Sequence, residues 1–66
     1  MIAFEINDMT CGHCASTITN AVKAADKDAC VRIDLARHRV EIEPVSADRE
    51  ELSEAIKDAG YTPVPA

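Results

Sequence analysis

Cys11-Gly12-His13-Cys14 sets two thiols three positions apart, with only a glycine and a histidine between them. That spacing lets the sulfurs of Cys11 and Cys14 turn toward one ion. Where such a segment leads into a helix, unsatisfied amides and the positive end of the helix dipole lower a nearby thiol pKa, so Cys14 is expected as a thiolate near neutral pH. Two soft thiolates with no further ligand in sight suit a d10 ion at low coordination and favour Cu(I) over hard cations. A closed zinc site needs about four ligands, and Cys30, His13 and His38 are badly placed to supply the remainder.

Each neighbour of the pair has a plain reading beside its chemical one. His13 is by default a solvated filler of an exposed loop; as an auxiliary ligand its ring would tune affinity between about pH 5 and 8. Met9 is read as an inward-packing anchor behind the thiols, with thioether ligation to Cu(I) the less favoured role. Tyr61 returns to the cysteine end after the second helix, where its phenol either shields an ion or packs over the rim. His38, between Arg37 and Arg39, reads as a solvated turn residue at that same end. Cys30 opens a strand at the far end and reads as an incidental exposed thiol rather than a third ligand.

These positions depend on the elements that hold them. Ile2, Phe4 and Ile6 alternate with polar or small residues as a half-buried strand does. Ala15, Ile18, Val22 and Ala25 then recur at helical spacing, predicting a helix that starts at or just after the two cysteines and runs through about Asp26. Val31, Ile33 and Leu35, then Val40 and Ile42, predict a hairpin that Pro44 ends. Ser46 is the expected N-cap of a second helix, with Asp48, Glu50 and Glu51 in its first turn, Leu52, Ala55, Ile56 and Ala59 as its apolar stripe and Gly60 as its stop. Tyr61 to Val64 is left as a brief edge strand, since Pro63 and Pro65 donate no ladder hydrogen bond. The order βαββαβ is a split βαβ arrangement, an α+β domain with two helices on one face of a four-stranded antiparallel sheet.

Composition limits what such a domain does. Sixty-six residues form one domain, residues 1–66, whose core is aliphatic because Phe4 and Tyr61 are the only aromatics. A core of this size supplies roughly 3–5 kcal/mol and leaves no room for an enclosed substrate pocket, so no enzyme is expected and the chemistry belongs on the surface. Twelve acids against seven bases give a net charge of −5, which disfavours nucleic acid and favours a basic protein surface or a cation. There is no signal-peptide pattern and no apolar run approaching a membrane span, so a cytoplasmic chain without membrane insertion is expected. An odd count of three cysteines in a reducing compartment argues for metal or thiol chemistry over a disulfide framework.

Met9-Thr10-Cys11-Gly12-His13-Cys14, the βαββαβ pattern and Gly60-Tyr61 after the second helix together resemble the heavy-metal-associated domain of copper chaperones and of P-type ATPase N-terminal modules. The resemblance covers essentially the whole chain. It implies a ferredoxin-like sandwich in which Cys11 and Cys14 bind Cu(I) in a near-linear site and pass it on by ligand exchange, with Met9 buried behind the loop and Tyr61 as in bacterial members. It also implies a P-type ATPase metal-binding domain or another copper acceptor as partner, and metal-bridged homodimers become accessible because the ion keeps open positions. Two positions depart from the family pattern. Asp8 stands where a glycine is usual and adds an oxygen and a negative charge that leave Zn(II) less firmly excluded, and His13 is less usual inside the motif.

Two other readings compete. Hg(II) favours the same linear dithiolate, so a module of a transporter or detoxification system is the alternative within metal binding; Met1 and the short tail after the last strand favour a stand-alone carrier. Cys-Gly-His-Cys is also the active-site tetrapeptide of protein disulfide isomerases, which makes a small thiol-disulfide redox protein the rival from another class. A thioredoxin-like domain is longer, starts with a parallel βαβ unit, and carries an aromatic residue before the motif and a distant cis-proline, none of which can be placed here.

Overall fold

In the computed structural model, which describes residues 2–66, the chain forms β1 (Ile2–Glu5), α1 (Gly12–Ala25), β2 (Cys30–Asp34), β3 (Arg39–Glu43), α2 (Arg49–Asp58) and β4 (Val64–Pro65). Met1, the first position of the expected domain, lies outside the described residues. The strands lie in the order β2-β3-β1-β4, and every neighbouring pair is antiparallel. This is the ferredoxin-like βαββαβ sandwich.

Period-2 patterning builds the core face. Register sets Ile2 opposite Ile42 and Phe4 opposite Val40, while Val31 and Ile33 of β2 face Ile42 and Val40 from the other side. Onto this apolar face α1 lays Ile18 and Val22, and α2 lays Leu52 and Ile56, all fully buried, so both helices cover the same side of the sheet. Each such side chain contributes roughly 1.5–3 kcal/mol by leaving water. The opposite face carries Arg32, Asp34, Arg39 and Glu41, with Arg39 paired to Glu41 at 3.4 Å.

Helix α1 starts at the cysteine pair, within the expected bounds: Cys11 is its N-cap, and the Ala15 amide donates to the Cys11 carbonyl at 3.1 Å, so Cys14 sits in the first turn. Other boundaries differ from the sequence reading. Ser46 does not cap α2. Asp48 does, its Oδ1 accepting from the Glu51 amide at 2.9 Å. The Ser46 amide is engaged elsewhere, because Asp26 turns out of the helix that was expected to include it and is buried at 3% exposure. Its Oδ2 accepts from the amides of Val45, Ser46 and Ala47 at 2.7, 2.8 and 3.0 Å. Those three donors favour the carboxylate and hold its pKa at about 2.

At the other end Leu35 leaves the strand pattern for the four-residue connection 35–38, closed by the His38 amide donating to the Leu35 carbonyl at 3.3 Å. Gly60, at φ 96°, ends α2 as expected: its amide donates to Lys57 and the Tyr61 amide to Ile56, the paired bonds of a Schellman cap. That cap keeps Tyr61 out of the sheet, so the last strand is Val64–Pro65 rather than 61–64, and it is an edge beside β1. Among the described residues no helix is long and apolar enough to cross a membrane.

Candidate metal site

Residues 7–11 carry the chain from the end of the first strand run into α1, and their anchoring decides where the thiols point. Met9 is fully buried in the core, and its amide donates to the Ile6 carbonyl at 3.1 Å. Asp8 is exposed and ties the same connection to the segment after α2, its Oδ1 accepting from the Thr62 amide at 3.4 Å. With the connection held from inside and outside, Cys11 and Cys14 bring their sulfurs to 3.4 Å from each other.

The two thiols are not equivalent. Cys11 is exposed, and its side chain makes no capping bond to the helix, so it can swing to admit an ion. Cys14 is half-buried and packs against the core beside Tyr61. Its pKa falls from the ordinary 9.0 to about 6, chiefly through hydrogen bonding from the Tyr61 side chain, then from the Thr10 amide and the Cys11 thiol, against an opposing contribution from burial. The reciprocal effect raises the Tyr61 phenol, because the Cys14 hydrogen bond, burial and the negative charge beside it all disfavour ionising the ring. At neutral pH the arrangement is therefore a Cys14 thiolate held by a protonated tyrosine and by amides at a helix start.

His13 lies exposed in the first turn of α1 rather than in a loop, its carbonyl accepting from the Thr17 hydroxyl at 3.0 Å. Cys30 is exposed and pairs with Glu43, at the end of the sheet away from the Asp34–Arg39–Glu5 row that adjoins the hairpin turn. His38 corrects the expectation of a solvated turn residue. It is half-buried at φ 54°, its ring Nδ1 lies 2.8 Å from the Met9 carbonyl oxygen, and its own carbonyl accepts from the Ile6 amide at 2.7 Å. Sequence reasoning missed this contact because 29 residues separate its partners. Its one local signal is placement at the last position of the four-residue hairpin connection.

Among the described residues no three His, Cys, Asp or Glu side chains converge as a metal site. A surface depression lined by Arg32, Asp34, Leu35, Arg37, Arg39 and Glu41 on the outer sheet face includes neither thiol of the pair. What the geometry offers is an open surface pair of sulfurs, one already biased to thiolate, able to hold a soft ion and accessible to an incoming ligand.

Comparison with known proteins gives the same picture. The family description "heavy-metal-associated domain" matches residues 3–62. A gold-binding protein superposes with TM-score 0.93 at 38% identity over 100% of both chains. The copper chaperone Atx1 from Synechocystis PCC6803 superposes with TM-score 0.91 at 33% identity over 96% of this chain and 98% of that one. A copper-transporting ATPase from Oryza sativa subsp. japonica is 35% identical over 60 residues, 88% of this chain. The chain spans only 6% of that ATPase's length.

Proposed function

This chain belongs to the heavy-metal-associated domain family, and on that premise we propose that it carries Cu(I) between Cys11 and Cys14 and hands it to a partner by thiolate exchange. The observation that carries the proposal is the sulfur pair at 3.4 Å with the Cys14 thiol lowered to about 6, since it supplies two soft donors and no third His, Cys, Asp or Glu among the described residues joins them. Likeness to a copper chaperone and to a gold-binding protein supports a soft ion. Loading releases whatever protons the two sulfurs still hold.

Transfer then proceeds by ligand substitution. A thiolate of the partner adds to the exposed ion, Cys11 departs first because its side chain is the less constrained, and Cys14 follows. Copper stays Cu(I) throughout, and no covalent bond of a substrate is made or broken. The partner is a P-type ATPase metal-binding domain or another copper acceptor, met in the cytoplasm. The same open coordination allows a metal-bridged homodimer.

A second reading keeps the dithiolate but assigns it Zn(II) or Hg(II) in a module of a transporter or detoxification system; the 60-residue match to the rice copper-transporting ATPase supports the transporter setting and not the change of metal. Competition of the reduced protein against chelators for Cu(I), Zn(II) and Hg(II) separates the two. Cu(I) is expected to bind with a 1:1 stoichiometry and to displace Zn(II) completely, and both Cys11→Ser and Cys14→Ser to abolish retention. Tight Cu(I) binding that survives loss of both thiols would falsify the site, and turnover in an insulin-reduction assay would move the protein to thiol-disulfide exchange.

A further inference from the structure

The turn between β2 and β3 carries a histidine where the backbone favours glycine or asparagine. At φ 54° His38 sits in the left-handed region, where the Cβ of any residue but glycine adds backbone strain and where histidine is among the more frequent exceptions. It is nevertheless half-buried, and its ring reaches across to the connection that precedes the thiols. A carbonyl oxygen accepts only, so the 2.8 Å contact with the Met9 oxygen requires Nδ1 to carry the proton.

The peptide that His38 holds has a second end. The Met9 carbonyl and the Thr10 amide belong to one planar trans unit, in which C=O and N–H point in opposite directions. Cys14 is the third residue of α1 after the Cys11 N-cap, the position whose side chain reaches back toward amides at the helix start. Backbone bonding from Thr10 and Cys11 is among the influences that hold the Cys14 thiol below its ordinary pKa. We infer that His38 is a positioning residue for Cys14, pinning the Met9 carbonyl so that the opposite edge of the same peptide keeps its N–H aimed at the sulfur. The hairpin turn thereby belongs to the thiol site, although it contributes no ligand.

The inference rests on the reading of Cys14 as an ion-holding thiolate, but its test begins without metal. In the metal-free protein at pH 8, the imidazole nitrogen shifts of His38 are expected to show the Nδ1–H tautomer; the Nε2–H tautomer would overturn the proposal. His38→Gly accepts the same backbone angle at no steric cost but lacks the donor, and His38→Asn tolerates the angle and restores one. Relative to wild type, Thr10 amide exchange in His38→Gly is expected to quicken by about tenfold, with Cu(I) affinity weakened to a similar degree, as fits loss of a single hydrogen bond. Exchange at Ala29 and the melting temperature are expected to hold, and His38→Asn to return both Thr10 exchange and affinity toward wild type.

Unchanged Thr10 exchange in His38→Gly, or no recovery in His38→Asn, overturns the relay. Should His38→Gly fail to fold, the wild-type tautomer decides alone. Absence of Cu(I) binding in the wild-type protein would defeat the carrier reading and leave the tautomer and exchange results standing.

Discussion

Tyr61 and Cys14 act on each other: the phenol donates toward the sulfur, and the resulting negative charge keeps the phenol from ionising. Removing the hydroxyl in Tyr61→Phe deletes the largest of the influences that favour the thiolate. The midpoint of Cys14 alkylation against pH is therefore expected to rise from about 6 toward the ordinary 9.0, by roughly one pH unit, as suits loss of one charge-assisted hydrogen bond. Mass-spectrometric rates with iodoacetamide, resolved for Cys14, check this, and an unmoved midpoint would remove Tyr61 from the site. The thiol pair was legible in the sequence because its spacing is local, and Tyr61 because the strand and helix order returns it to the cysteine end. His38 was not, since its partner lies 29 residues away and nothing in Arg37-His38-Arg39 marks a buried contact.

Among the elements, the one with the most to lose is the segment between β3 and α2, whose amides converge on Asp26. The hydrophobic pattern was enough to place five of the six elements, because alternation and helical spacing report which side faces the core; the last strand, read at 61–64, begins only at Val64. Polar anchoring was not legible. Asp26 looks like any residue at a helix end, and Ser46 is a better N-cap by type than by position once its amide is drawn to Asp26. The folded Asp26 pKa lies below its ordinary 3.8, so its stabilising contribution is complete above that value and is lost as pH falls toward about 2. Asp26→Ala is expected to lower the melting temperature at pH 7 by roughly 10 °C, since three backbone amides, that of Ala47 buried, lose their acceptor. The gap between variant and wild type is expected to narrow as pH approaches 2, and thermal melts by circular dichroism across that range would refute the anchor if the gap stays constant.

For the whole molecule, a small aliphatic core leaves little margin. Ile56 is fully buried, and Ile56→Ala costs about 2–5 kcal/mol, close to the whole of what a core this size supplies. Most of the variant is expected to be unfolded at 37 °C in urea titrations, and free Cu(I) at about 100 times its dissociation constant to restore about 2.7 kcal/mol by binding only the folded form. Failure of copper to shift the midpoint would mean that the ion binds the unfolded chain as well. The net charge of −5 predicts association with a basic partner whose rate falls as salt rises, measurable by stopped flow. Cys30 adds a practical consequence of the strand register. It stands four residues back along β2 from the Asp34 end of the sheet, about 13 Å of strand, on the side remote from the thiol pair. On the proposed assignment, metal loading is expected to shield the pair from alkylation and leave exposed Cys30 free for a single fluorophore, placed to report on docking away from the surface that the proposal gives to the partner.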